Sequence, residues 1–315
     1  MTALVLVELL RLRWRRAVLL LVAAAFVIPA ILLATTLWGT RPVSDAELRS
    51  AQEQAAAAAE SPQLQLDIAD CEADPEGWGV DASTTCEEML VPQASWYAFR
   101  QPLDLDQERQ EGSGLAVAAL LTMLLVLVGT TFVGHDWNSG SMSNQLLFEP
   151  RRTRVWLAKA VAVLGGSLMV ALLVLLAFWT GLVVASNVQG LTLRDGEVAA
   201  AYKQAVLAAC LASLAATFAH ALTMLFRSTV ATLGVLFAFA VAGSIVLAAL
   251  GFDGYERLLP HANFIAFVVG SYDYYVTHGA GIEAISRSHA AVYFAVVLAL
   301  AVAASLASFR SRDVP

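Results

Sequence analysis

Charged residues are scarce in this chain of 315 residues: Asp, Glu, Lys and Arg make up only 14% of it. Hydrophobic residues make up 58%, and the mean hydropathy is +0.67. A soluble globular protein carries about 25% charged residues. The shortage excludes a soluble enzyme, a disordered tail and a fibre, and it indicates a protein with several membrane spans. The net charge of −7 argues against nucleic acid as a partner.

Lysine is especially rare, since only Lys159 and Lys203 occur. A nucleotide-binding P-loop needs Gly-Lys-Ser or Gly-Lys-Thr to hold phosphates, and neither lysine follows a glycine. The histidines are too widely spaced for a zinc-protease helix, which carries two of them four residues apart. A Gly-x-Ser-x-Gly nucleophile elbow is also missing. We therefore expect no catalytic residue, no metal site and no cofactor in this chain.

Six apolar stretches are long enough to cross a bilayer, which takes roughly 20 residues per helix. Lys and Arg concentrate in the loops on one side of these stretches, and such loops face the cytoplasm. We expect an all-α protein of the cell membrane, with six transmembrane helices and both termini in the cytoplasm. The excess of Arg over Lys in an Ala-rich chain favours a bacterial source. The predicted segments are an amphipathic helix (1–16), span one (17–37), an acidic extracellular domain (38–113), span two (114–134), a cytoplasmic loop (135–158), span three (159–188), an outer loop (189–199), span four (200–226), span five (228–252), an outer segment with short re-entrant helices (253–287), span six (288–309) and a cytoplasmic tail (310–315).

The N-terminal helix has one charged face, which carries Glu8, Arg11 and Arg15. The opposite face is largely apolar and carries Leu6, Leu9, Leu10 and Trp14. Such a helix is expected to lie on the inner membrane surface, where anionic lipid attracts it. It could also be only an orientation signal. A signal peptide is the alternative for the first apolar stretch, but that stretch is about 21 residues long and signal peptides use roughly 7–15.

The extracellular domain contains two of the three cysteines, Cys71 and Cys86, whereas Cys210 lies in the fourth span. A Cys71–Cys86 disulfide would close a loop of about 15 residues and stabilise the fold by up to ~3 kcal/mol. Two unpaired thiols or a metal pair are the alternatives. Ser44 and Glu47 form the pattern of a capping box at the start of a helix that Pro62 stops. The aromatic residues of the extracellular domain could supply a small core: Trp78, Trp96, Tyr97 and Phe99.

Two polar features lie near or within the later spans. The apolar run 262–272 is too short to cross a bilayer and predicts an interfacial or re-entrant helix, with Tyr272, Tyr274 and Tyr275 at the headgroup level. His220 is the only titratable residue deep inside a predicted span. It could contact a substrate or sense protons, or it could be a neutral imidazole that is hydrogen-bonded between helices.

The cytoplasmic loop between spans two and three predicts a short helix. Ser139 can cap this helix, Pro150 can end it, and a basic cluster follows at Arg151, Arg152 and Arg154. A short rigid helix held between two spans can act as a lever, because a force on it moves both spans.

This loop resembles the coupling region of ABC-2 type permeases, the membrane subunits of ATP-binding-cassette exporters. The family pattern is an acidic residue, Gly-Thr or Gly-Ser, two leucines, proline, arginine and a later lysine. Here it is matched by Asp136, Gly140-Ser141, Leu146-Leu147, Pro150, Arg151-Arg152 and Lys159. The departure is Asp136, where Glu is commoner. The six-span plan also matches, but the 76-residue outer loop is larger than in the simplest members.

The resemblance implies that two permease chains, identical or different, pair and bind two separate ATPase subunits. The residues that it assigns to coupling are Asp136, Ser139, Gly140, Ser141, Pro150, Arg151, Arg152, Arg154 and Lys159. ATP and Mg²⁺ would bind to the partner ATPase, and the chain would export an amphipathic or apolar substrate such as a lipid, drug or peptide. The alternative hypothesis is a multi-pass membrane sensor or assembly factor whose acidic extracellular domain binds a ligand.

Overall fold

The computed structural model describes residues 1–80, 84–251, 253–276 and 281–313. Small parts of four predicted segments therefore lie outside the described residues, namely the acidic domain, the fifth span, the outer segment and the tail. The chain forms two compact units, one of residues 1–35 with 104–315 and one of residues 36–103. Each unit is described by itself.

Most of the described residues are helical. In chain order the helices are α1 (Thr2–Trp14), α2 (Arg16–Gly39), α3 (Asp45–Ala59), α4 (Pro62–Ala73), α5 (Cys86–Leu90), α6 (Ala94–Tyr97), α7 (Leu105–Gln110), α8 (Ser113–Asn138), α9 (Ser141–Phe148), α10 (Arg152–Val188), α11 (Glu197–Phe226), α12 (Thr229–Leu250), a 3₁₀ helix (Tyr255–Leu258), α13 (Pro260–Val269) and α14 (Arg287–Ser311). Two short strands, β1 (Ser271–Tyr275) and β2 (Ile282–Ser286), form an antiparallel hairpin.

Six helical segments among the described residues are long and apolar enough to cross a membrane. They are α2, the consecutive helices α7 and α8, α10, α11, α12 and α14. The prediction of a multi-pass, helical membrane protein is therefore confirmed at this level. Of the α12 side chains that the structure describes, only Thr232 is buried, so this helix exposes apolar surface all round, which suits a lipid environment.

The helices on either side of the predicted cytoplasmic loop are longer than their apolar stretches. Helix α8 continues to Asn138 and α10 already begins at Arg152, so only residues 139–151 separate them. The predicted cytoplasmic segment 135–158 therefore includes the ends of both helices. Asp136 and Lys159, which are charged, lie inside these helices and are buried in ion pairs.

Helices α8, α10 and α11 form the centre of the first unit. The side of α11 that faces them carries small, fully buried residues at Ala201, Ala205, Ala208, Ala212 and Ala216. Small side chains allow helix backbones to approach closely in a membrane. Helices α8 and α11 approach closely at Gly129 of α8, where a Cβ atom would lie 2.2 Å from the carbonyl oxygen of Ala216.

Replacing Gly129 with alanine is expected to destabilise the first unit by about 1–3 kcal/mol, the usual cost of overpacking a tight core. The added methyl group would meet the backbone of α11, which cannot move aside as a flexible side chain could. Thermal unfolding in detergent measures the loss. The control is Gly165→Ala in α10, where a Cβ atom meets nothing within 4 Å and helix propensity improves. Equal melting temperatures for the two variants would contradict the predicted close packing.

The second unit is a small helical fold of α3 to α6. The capping box at Ser44 and Glu47 is confirmed, and Pro62 starts α4 immediately after α3 ends. The predicted aromatic core is wrong, since Trp96 is 53% and Phe99 71% exposed. Small and aliphatic residues supply the buried positions instead: Ala51, Ala55, Leu64 and Leu103.

A disulfide between Cys71 and Cys86 joins α4 to α5 within the second unit, as predicted. The cysteines lie in helices rather than in a loop, because α4 extends through Cys71 and α5 begins at Cys86. The predicted domain 38–113 is also too long, since the unit ends at Leu103 and α7 belongs to the first unit.

The described part of the segment after α12 contains the 3₁₀ helix, α13 and the hairpin. Helix α13 ends at Val269, and the next residue, Gly270, has a φ of 139° that few residues other than glycine adopt. Residues 271–272, which were predicted to be helical, belong to β1. Arg109 and Arg287 donate hydrogen bonds to the Val269 carbonyl at this helix end, where cations are favourable. Tyr274 is buried and donates a hydrogen bond to Glu283.

Candidate functional site

Helix α9 is a short helix held between two membrane-spanning helices. A turn at Ser139 and Gly140 separates it from α8, and Gly140 has a left-handed φ of 69°, which glycine adopts without strain. Ser139 does not cap α9 as predicted, because its hydroxyl donates to the His135 carbonyl of α8 at 2.7 Å. Pro150 lies two residues beyond the end of α9, consistent with its predicted role as a stop.

A cluster of five charged side chains lies where α1, α8 and α10 meet, and we call it the buried ion cluster: Glu8, Arg11, Arg15, Asp136 and Lys159. The Nζ atom of Lys159 donates to Asp136 Oδ2 at 2.5 Å and to Glu8 Oε2 at 2.9 Å. Asp136 also accepts from Arg15, and Glu8 accepts from Arg11 at 3.2 Å. Asp136 and Lys159 are completely buried and Glu8 is 3% exposed.

Such a cluster is rigid because its members cannot separate without leaving a charge alone in a dry environment. Removing charges from water is costly, and only close pairing with full hydrogen bonding offsets that cost. Loss of one partner of a buried pair typically costs about 3–5 kcal/mol. The cluster therefore fixes the ends of α8 and α10 and the side of α1 relative to one another.

The buried ion cluster also holds α9. Ser141 donates to Asp136 Oδ1 at 2.5 Å, and Gln145, one turn later on the same face, donates to Glu8 at 2.5 Å. Met142 lies beside them and is 1% exposed. The far end of the helix is different, since Leu147 is 80% and Phe148 91% exposed. Helix α9 is thus anchored at one end and presents an apolar pair at the other.

The structure unites only part of the residues predicted from the coupling pattern. Asp136, Ser141 and Lys159 meet in the buried ion cluster, but the basic residues after Pro150 have other partners. Arg152 donates to the carbonyl groups of Phe309 and Arg312 at the end of α14. It therefore caps a helix C-terminus, where a cation is favourable. Arg154 lies 3.9 Å from Glu149, and the backbone N–H of Arg151 donates to that same residue.

The partners from α1 are the functional residues that sequence reasoning missed. It placed Glu8, Arg11 and Arg15 correctly on one face but directed that face toward lipid headgroups. In the structure this face meets Asp136 and Lys159, and the apolar face is the exposed one, with Leu6 61% and Trp14 74% exposed. The sequence showed only that these charges lie in apolar surroundings and need partners, because the paired residues are between 121 and 151 positions apart.

His220 is completely buried, as expected for a residue inside a span. Its ring packs edge-on against Trp156 at 5.1 Å, and Trp156 donates to Ser305 at 3.0 Å. The predicted hydrogen bond of the imidazole between helices is wrong, because neither ring nitrogen has a partner among the described residues. The ring fills space beside a tryptophan instead.

The described part of the chain offers little for a cofactor. Within it, no group of three His, Cys, Asp or Glu side chains could hold a metal ion.

An open crevice of about 510 Å³ lies where Ala17, His135 and Thr229 approach one another, beside the turn that leads to α9.

Comparison with known proteins adds no assignment: no family model, no curated protein and no solved structure matches this chain. The buried ion cluster and the helix that it holds are therefore the observations from which a function has to be argued.

Proposed function

We propose that this chain is the permease subunit of an ATP-binding-cassette transporter of the ABC-2 type, and that α9 is its coupling helix. The observation that carries the proposal is the construction of α9. Ser141 and Gln145 tie it to charges buried between two membrane-spanning helices, whereas Leu147 and Phe148 are exposed. A helix that is fixed at one end and apolar at the other suits a partner that pushes on it.

The proposed partner is an ATPase subunit in the cytoplasm. The concentration of Arg and Lys in the loops on the side of α9 supports a cytoplasmic position for this helix by the positive-inside rule. Large exposed apolar patches mark sites where a protein or a membrane binds, and we propose that Leu147 and Phe148 belong to a protein-binding site. Two ATPase subunits, which bind ATP and Mg²⁺, and a second permease chain complete the proposed assembly.

Force on α9 would reach the membrane through the buried ion cluster. Asp136 belongs to α8 and Lys159 to α10, and both are hydrogen-bonded into the same cluster as the α9 side chains. Glu8 includes α1 in the same network. Because these charges remain paired, a shift of α9 moves the ends of α8 and α10 as one body. The substrate class proposed with this mechanism is an amphipathic or apolar molecule that is exported.

Purification of the tagged full-length chain from its native cells tests the proposal. We expect an ATPase subunit to co-purify, and we expect the isolated chain to hydrolyse no ATP until that subunit is added. Transport into vesicles should then require both proteins and ATP. Transport by the isolated chain, or the absence of any ATPase from the purified complex, would contradict the assignment.

The alternative, a membrane sensor or assembly factor, makes a different prediction for the second unit. Replacing residues 41–100 with a short flexible linker leaves α7 and the membrane helices in place. A permease should still bind its ATPase after this change, whereas a sensor should lose its whole function. The deletion is confined to the second unit because residues 104–113 belong to the first.

A further inference from the structure

The second unit contains a cleft of about 390 Å³ that the proposed transport mechanism does not use. One wall is a single face of α3, on which Glu47, Ser50 and Gln54 are one turn apart. The other wall is the segment Tyr97 to Arg100. This volume lies within the range of small-molecule sites, roughly 300–1,000 Å³. We call it the arginine cleft.

Two arginines of the second unit converge on one carboxylate beside this cleft. Arg41 and Arg100 both donate through Nη2 to the same oxygen of Glu47, at 2.8 and 2.5 Å. The backbone N–H and the hydroxyl of Ser44 donate to the other oxygen, at 3.0 and 2.9 Å. The bonds from Ser44, together with the two guanidinium groups, lower the pKa of Glu47 to about 2. Glu47 is therefore ionised, and both of its oxygens already accept hydrogen bonds. Its single negative charge neutralises only one of the two arginines.

Both guanidinium groups keep a donor that nothing accepts. The Nη1 atoms of Arg41 and Arg100 are buried and have no hydrogen-bond partner among the described residues. Buried polar atoms in native proteins are nearly always paired, so these two donors indicate positive charge that the chain does not use. Arg100 lines the cleft, whereas the guanidinium of Arg41 stacks on Trp38 at 3.8 Å. A carboxylate matches the planar fork of an arginine.

We propose that the arginine cleft binds a small molecule with a single carboxylate next to an aromatic or apolar group. The carboxylate would accept from Arg100, which lines the cleft, and Arg41 beside it would contribute a second positive charge. The apolar part would pack on Tyr97 and Phe99, which are 42% and 71% exposed. Ser50 and Gln54, bonded to each other at 3.1 Å, line the remaining wall. The site does not depend on the proposed transport function.

The charge of the surrounding unit limits the ligand to one negative charge. Residues 36–103 contain twelve acidic residues and three arginines. At physiological salt, charges are screened over about 8 Å, so two arginines in contact outweigh distant carboxylates for a monoanion. A nucleotide or another polyanion would bring further negative charge close to those carboxylates. The cleft therefore favours a monocarboxylate over a polyphosphate.

Ligand-observed NMR on the full-length chain in nanodiscs tests the site with N-acetyl-phenylalanine and its amide, N-acetyl-phenylalaninamide. The two probes differ only in the negative charge, and we expect the acid to bind about tenfold or more tightly than the amide, the usual effect of a charged hydrogen bond. Equal binding of the acid and the amide, or no binding of the acid, would overturn the proposal. This test uses only the unchanged chain.

Three variants locate the binding. R100Q should weaken binding of the acid about tenfold. The control R49Q also removes one positive charge, but from α3, and it should leave binding of the acid unchanged. Arg49 is exposed, and its Nε donates to the Asp45 carbonyl. R100K keeps a charge for Glu47 but loses the second nitrogen, and it should also bind weakly. Intact Cys71–Cys86 disulfides, measured by mass spectrometry, show that the variants are folded. An R49Q variant that binds as weakly as R100Q would indicate a purely structural ion pair and overturn the site.

Discussion

Replacing Asp136 with asparagine is expected to destabilise the membrane unit by about 3–5 kcal/mol, the typical cost of leaving a buried charge unpaired. The side chain keeps its shape, but Lys159 and Arg15 lose the carboxylate that both contact. Three cations then remain against Glu8 alone. We expect a large loss of melting temperature and of purified yield, together with a loosened α9, because Ser141 also bonds to Asp136.

A second substitution separates charge from shape. The double variant Asp136→Asn with Lys159→Met restores the net charge of the buried ion cluster and should recover part of the lost stability. A double-mutant cycle measured by thermal unfolding gives this coupling, which reaches about 0.5–3 kcal/mol for residues in contact. The exposed Asp195→Asn is the control and should change stability by less than about 0.5 kcal/mol. Additive losses in the double variant would show that the charges do not act together.

Replacing Leu147 and Phe148 together with alanine is expected to abolish ATPase binding without unfolding the chain. Both side chains are almost fully exposed, so their removal costs the isolated protein little. If they are the buried anchors of the complex, each is worth about 2 kcal/mol or more, and the affinity should fall by about a thousandfold. Affinity for the ATPase subunit and ATP hydrolysis by the reconstituted complex measure the effect.

The control for this prediction is Asn144→Ala, an exposed polar position on the same helix. It should bind the ATPase subunit nearly as well as the unchanged chain. An unchanged melting temperature for the Leu147 and Phe148 variant distinguishes lost binding from lost folding. Normal ATPase stimulation by that variant would show that α9 is not the coupling contact.

The predictions that succeeded depend on neighbouring residues or on composition. The capping box at Ser44 and Glu47 involves positions three apart, and the spans are runs of apolar residues. The disulfide followed from two cysteines close in the chain. The helical prediction for residues 271–272 failed because strand pairing at the hairpin, Tyr272 with Ile285, is a contact with a later segment.

The candidate site was only partly predictable, for the same physical reason. The pattern around Gly140 and Pro150 indicated a short helix between two spans, and two residues of that pattern, Asp136 and Lys159, form an ion pair in the structure. The assignment of Arg152 to the coupling contact remains a prediction. Its position does not favour that role, because its side chain donates to carbonyl groups at the end of α14. Which cation is free to meet a partner depends on the fold and not on the local charge pattern.

The sequence alone determined that this chain is a helical membrane protein with an acidic segment between its first two spans, because apolar runs and charge bias are properties of composition. The tertiary structure decided which charges neutralise one another. Glu8 lies 151 residues before Lys159 and yet bonds to it, because a buried lysine requires an anion wherever the fold can supply one. The same requirement turns the charged face of α1 inward, against Asp136 and Lys159.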